Sequence, residues 1–155
     1  MARPCHLGYA GNAVGAAFRV LGLDVGSRTI GVAVSDELGM AAHGVTTLQR
    51  RGTQKDVAQV LELVRRYQAE RIVVGMPYEM DGSDGPRATR VRVFLDALVA
   101  AGLLVDEWDE RYSTVEAEET LLAANVSRAR RKEVIDQMAA QVILRSWLES
   151  REEKP

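Results

Sequence analysis

Apolar positions along the chain change their spacing in a definite order. Val20 to Gly26 and Ile30 to Asp36 are short runs rich in β-branched residues, separated by Ser27-Arg28-Thr29, and they predict two strands joined as a hairpin. A third strand is predicted over Gly44 to Leu48. The period then lengthens. Val57, Val60, Leu61, Val64 and Tyr67 recur three or four residues apart, as one face of an amphipathic helix requires. Arg71 to Met76 predicts a fourth strand, and the Gly-, Pro- and Asp-rich stretch Pro77 to Pro86 predicts a loop. Val91, Phe94, Leu95 and Leu98 supply the apolar face of a second helix, and Leu103 to Trp108 a fifth strand. Ser113 and Glu116 form a capping box, which opens a helix to about Ala124, and a last helix is predicted from near Lys132 to Glu149.

Three strands followed by helix, strand, helix, strand and two helices describe an α/β protein. Its five-stranded mixed sheet is flanked by helices, with antiparallel hairpins first and parallel crossovers later. At 155 residues and 46% hydrophobic content the chain fits one ordinary domain with a sizeable core. The expected division is a leader over residues 1–19, a domain over 20–150 and a tail over 151–155. The leader is Ala- and Gly-rich. Gly8, Gly11 and Gly15 superficially suggest a phosphate loop, but no strand precedes them and no Lys-Ser/Thr follows.

Charge and cysteine content narrow the chemistry. The net charge of −2 carries no global basic signature, so any contact with nucleic acid must come from local clusters of Lys and Arg. Cys5 is the single cysteine; it excludes an internal disulfide and fits a reducing, cytoplasmic setting. Cys5, His6 and His43 are too few soft ligands for a four-ligand structural zinc site, so any metal must be oxygen-bound. No apolar run approaches the roughly 20 residues that span a bilayer, so no membrane role is expected.

Two acids stand where the pattern asks for apolar residues. Strand alternation puts Gly22, Asp24 and Gly26 on one face of the first strand, with Leu21, Leu23 and Val25 on the other. A carboxylate inside a sheet is expensive unless a metal or a cation meets it, although Asp24 could instead cap its own hairpin. Asp136 shares a stripe of the last helix with Ala140, Ile143 and Trp147, at offsets of four, seven and eleven. Its alternative is a boundary position paired to a neighbouring Arg. Asp109-Glu110-Arg111 closes the fifth strand, where α/β sheets commonly collect ligand groups, and where surface acids are also ordinary. Oxygen ligands of this kind select Mg²⁺ or Mn²⁺, which can activate water and stabilise a leaving oxygen.

Candidate phosphate contacts are Arg87 and Arg90 at the start of the second helix, Arg111, and the dense group Arg128, Arg130, Arg131 and Lys132 ahead of the Asp136 helix. Solvation alone would also account for Arg87 and Arg90.

Several segments together resemble one family. Leu23-Asp24-Val25-Gly26 precedes Ile30-Gly31-Val32-Ala33-Val34-Ser35-Asp36, and Val73-Val74-Gly75-Met76-Pro77 precedes Met80-Asp81-Gly82-Ser83. Asp109-Glu110-Arg111 is followed by Ser113-Thr114, and Lys132 by Asp136, Ala139 and Ala140. In order and spacing, over about Leu21 to Leu148, these resemble the YqgF/RuvX family, described as Holliday junction resolvases and as pre-16S rRNA processing nucleases. The resemblance implies an RNase H-like fold and a metal-dependent nuclease with an acidic site at Asp24, Glu110 and Asp136. Related resolvases carry an acid at the end of the fourth strand, where this chain has Gly75, Met76 and Pro77, so Asp109 could substitute for Glu110. Two rivals remain. An actin-like ATPase fragment would share the Asp-Gly hairpin but needs a second Gly-rich phosphate motif, and a non-catalytic RNA-binding or transcription-associated module would not need all three acids. The substrate is left open between branched DNA and precursor rRNA, and symmetric cutting of a junction would call for a homodimer.

Overall fold

The structure is a computed structural model that describes residues 18–112 and 127–152. Its elements are β1 (Arg19–Val25), β2 (Thr29–Ser35), β3 (Ala42–Gln49), α1 (Thr53–Tyr67), β4 (Ala69–Met76), α2 (Pro86–Ala100), β5 (Val105–Asp109) and α3 (Arg128–Glu152), with a 3₁₀ turn at Glu110–Tyr112 between β5 and α3. The five strands lie in the order β3-β2-β1-β4-β5. β1–β2 and β2–β3 are antiparallel, whereas β1–β4 and β4–β5 are parallel, as the order of hairpins and crossovers requires.

The sheet has an apolar layer on each face. Leu21, Leu23, Ile30, Val32, Ile72 and Val74 meet Val57 and Val60 of α1 and Phe94 and Leu98 of α2. On the opposite face Val20, Ala33 and Val73 meet Ala140, Ile143, Leu144 and Trp147 of α3. Strand alternation therefore sends Asp24 toward α3, as its place between Gly22 and Gly26 predicted. α3 is fastened at both ends of its run across the sheet: Thr47 Oγ1 donates to the Glu133 carbonyl at 2.9 Å, and Trp108 Nε1 donates to Ser146 Oγ at 3.1 Å.

Several boundaries differ from the sequence reading. β1 begins at Arg19, whose guanidinium pairs with Glu37 at 3.1 Å, and Phe18 packs beside the α3 core, so these two residues belong with the domain and not with a leader. Residues 1–17 and 153–155 lie outside the described residues, as does the helix expected from Ser113 to Ala124. β3 and β4 start two residues earlier than predicted, because edge and entry positions carry polar residues that alternation cannot separate from loop. α3 starts at Arg128, four residues before the predicted position. The group Arg128, Arg130, Arg131 and Lys132 therefore forms the opening of this helix and does not precede it. Among the described residues no helix is long and apolar enough to cross a membrane.

Candidate active site

β1 and its neighbours build the site around Asp24. In the antiparallel pair Asp24 lies opposite Gly31, and one step beyond the Leu23–Val74 pair its neighbour on the parallel side is Gly75. A side chain at Gly31 would meet backbone, and one at Gly75 would meet the ends of two side chains. A Cβ on Gly31 would lie 1.9 Å from the Asp136 carbonyl oxygen, so the α3 backbone rests directly on β2 at this point. A Cβ on Gly75 would lie 2.9 Å from Glu110 Oε2, so the Glu110 side chain folds back from the end of β5 and covers β4. Glu110 and Ile143 of α3 together reach into the space that a side chain at position 75 would fill. Asp24, Glu110 and Asp136 arrive on one face of the sheet from three elements.

Asp24 and Glu110 share a cleft of about 400 Å³ whose wall also carries Arg50, Pro77, Arg87 and Arg90. Asp136 is engaged beside it. Its carboxylate accepts a hydrogen bond from Thr29 Oγ1 at 2.8 Å and faces Lys132 Nζ at 3.6 Å, one helical turn earlier. The basic neighbour foreseen for Asp136 exists, but it is Lys132 and not an arginine. Lys132 is 62% exposed while Asp136 is 13% exposed, so it is the ammonium, and not the carboxylate, that is open to a phosphate from solvent. Among the described residues no three His, Cys, Asp or Glu side chains stand close enough together to hold one ion. Among the described residues the cleft presents two carboxylates and no thiol or imidazole, a donor set that fits a hard divalent cation.

Asp109 and Arg111 are paired with each other. Arg111 Nε donates to Asp109 Oδ1 at 3.0 Å, the Arg111 backbone N–H donates to the same oxygen at 2.9 Å, and Arg111 Nη1 donates to the Met80 carbonyl at 3.0 Å. Arg111 holds the Asp109 carboxyl below its usual value. The pair ties the loop after β4 to the end of β5, while Arg92 holds the loop's other side through Asp84 at 2.7 Å. Arg87 and Arg90 on the first turns of α2 are set against the cleft by this pinned loop.

Glu110 has the opposite electrostatics. Burial pushes its carboxyl above the usual glutamate range, Arg87 opposes this and Asp109 adds to it. A carboxyl whose value is raised by folding stabilises the fold in its protonated form, and that advantage is complete below the unfolded value and lost as pH rises through the folded one. Glu110→Gln mimics the protonated form. It is expected to melt above the wild type at neutral pH, with the gap closing as pH falls toward the range where an ordinary glutamate protonates. A constant gap in thermal melts across that range would refute the assignment.

Arg50 and Thr29 were missed by the sequence reading. Arg50 is held by Asp56, which is fully buried on α1, at 3.0 Å. The signal was available, since Asp56, Val60 and Leu63 fall on one stripe at offsets of four and seven, the same anomaly that marked Asp136. Thr29 had none, because only the crossing of α3 over β2 brings it to Asp136.

Residues 18–150 match the family model described as RuvX: Holliday junction resolvase. A relative from Myxococcus xanthus is 52% identical over 133 residues, covering 85% of this chain and 88% of its own length, and one from Symbiobacterium thermophilum is 51% identical over 138 residues, covering 88% and 96%. Both are provisionally named pre-16S rRNA nuclease. Among solved structures, Thermus thermophilus RuvC in complex with a Holliday junction substrate aligns over 88% of this chain and 96% of its own, with a TM-score of 0.56 and 18% identity. The Fowlpox virus resolvase, also in complex with Holliday junction DNA, aligns over 86% and 99%, with a TM-score of 0.52 and 9% identity. At these identities the likeness is one of fold, the RNase H-like fold of RuvC-type resolvases.

Proposed function

The chain belongs to the RuvX family of Holliday junction resolvases, and from that premise we propose that it is a nuclease that hydrolyses phosphodiester bonds in structured nucleic acid with the help of a divalent cation, Mg²⁺ or Mn²⁺. One observation carries the reading: Asp24 lies between two glycines, each of which lets a second acid close over the sheet, in a cleft whose far wall is cationic. A lone structural acid would need neither glycine.

Asp24 and Glu110 would hold the cation, with Asp136 as the third carboxylate once its exposed partner Lys132 is drawn to a phosphate. A cation in that place polarises the phosphodiester and lowers the pKa of bound water. Arg87 and Arg90 receive the phosphate oxygens at the start of α2, where unpaired backbone N–H groups also favour anions. Arg128, Arg130, Arg131 and Lys132 open α3 with no acid in its first turn. Cations at a helix N-terminus cost about 0.3–1 kcal/mol each against the helix dipole, a penalty that a nucleic-acid backbone would offset. These contacts reach only the backbone and carry no base preference.

The substrate favoured by the relatives at about half identity is precursor 16S rRNA, and we place its processing in the cytoplasm. The family description favours a four-way DNA junction as a second reading, which requires two copies of the chain for paired cuts. Purified protein supplied with Mn²⁺ or Mg²⁺ should cut a 5′-extended 16S rRNA fragment or a four-way junction, independently of changes in base sequence, and chelator should stop it. Tight binding of either substrate with no cutting under both metals would overturn the catalytic reading in favour of a non-catalytic binding module.

A further inference from the structure

Arg50 stands outside the acids and the basic groups named so far as phosphate contacts, yet it lies on the wall of the same cleft. Its guanidinium is fixed from three directions. Nε donates to Asp56 Oδ2 at 3.0 Å, Nη1 donates to the Gly26 carbonyl at 3.1 Å, and the plane stands over the Phe94 ring with its carbon 5.3 Å from the centroid. Asp56 is itself held: it is fully buried, and its second oxygen accepts the Arg51 backbone N–H at 2.8 Å. Arg50 is 19% exposed, and among the described residues Nη2 meets no acceptor.

We propose that Arg50 is a substrate-binding residue, a rigid phosphate anchor that seats a phosphodiester of the nucleic acid beside Asp24. A guanidinium is a planar fork with five donors, well matched to phosphate oxygens. Two of these donors are spent on protein acceptors, and that orients the remainder. Arg87 and Arg90 are exposed side chains that must be ordered when substrate binds, whereas Arg50 is ordered beforehand, so little conformational entropy opposes its contact. The bond to the Gly26 carbonyl joins this anchor to the turn that follows Asp24. One rigid unit thus positions both the phosphate and the carboxylate. A purely structural partner for Asp56 would have no need to border the cleft.

The proposal rests on the nuclease reading given above, and its test separates the two. Arg50→Met alone would strand the buried Asp56 charge and could unfold the chain, so the informative variant is Arg50→Met with Asp56→Leu, in which both charges are removed together. Arg50→Lys is the companion, because a lysine keeps the charge and cannot fork. Binding is measured with Ca²⁺ in place of Mg²⁺, on a four-way DNA junction and on a 5′-extended 16S rRNA fragment, across a salt series. The double variant should melt cooperatively, bind roughly tenfold or more weakly, and lose about 0.9 from the log-log salt slope on the DNA, for one phosphate contact. Arg50→Lys should bind more weakly than the wild type while keeping most of the slope. A folded double variant with wild-type affinity and slope would overturn the anchor. Wild-type protein that binds neither probe would instead overturn the nuclease reading.

Discussion

Asp24→Asn is expected to lower single-turnover cleavage by at least about 10³-fold, equivalent to roughly 4 kcal/mol of transition-state stabilisation, while nucleic-acid affinity stays within a few-fold of the wild type. The size follows from position. Asp24 is the central acid of the three, set on the strand between Gly31 and Gly75, and it lines the cleft together with Glu110 and the cationic wall. The amide is nearly isosteric, so the sheet register and the two apolar layers should be untouched, and a thermal melt will verify that. The arginines that would bind the backbone are on other elements and should act as before. Near-normal cutting by the variant would remove Asp24 from the reaction.

Gly31→Ala should be the most damaging small substitution in the domain. The added methyl carbon would lie 1.9 Å from the carbonyl oxygen of Asp136 and 2.5 Å from its carbonyl carbon, and these are backbone atoms of a helix in close contact with β1, β2 and β3. No side-chain rotation can relieve such a clash. The helix must move outward, which opens the layer of Ala140, Ile143, Leu144 and Trp147. A loss of about 3 kcal/mol or more is expected, the upper end for overpacking, and this should lower the melting temperature by roughly 10 °C. Cutting should fall as well, because the shift carries Asp136 away from Thr29. A melting temperature within about 2 °C of the wild type would mean that α3 does not rest on β2 as described.

Both effects depend on residues far apart in the chain, Asp24 with Glu110 and Gly31 with Asp136, and this separates what could be read from the chain alone from what could not. The two hairpin strands, the crossover helices and the face on which Asp24 lies were all legible, because periods of two and of about 3.6 are local properties of the backbone and the apolar core must follow them. The stripe of α3 was legible for the same reason, and it correctly placed Ala140, Ile143 and Trp147 in the core. The acids at 24 and 136 stood out because a carboxylate among apolar positions demands a partner, whereas Glu110 joined them only through the family resemblance.

Which partner it takes is not a local property. Asp109 and Glu110 are adjacent and chemically alike, and only the fold sorts them: Arg111 engages the first, while Gly75 leaves room for the second to fold into the cleft. Asp136 could have met an arginine, a metal or water, and the crossing of α3 over β2 brought it to Thr29 and Lys132. No local pattern singles out Arg50, which only Asp56 and the Gly26 carbonyl fix against the cleft. The sequence by itself determined the elements, their apolar faces and the acids that had to be explained, since those follow from spacing along the backbone. The tertiary structure alone decided which charges meet, because the pairing energy of a charge depends on distance and burial across strands and helices that the chain brings together only when it folds.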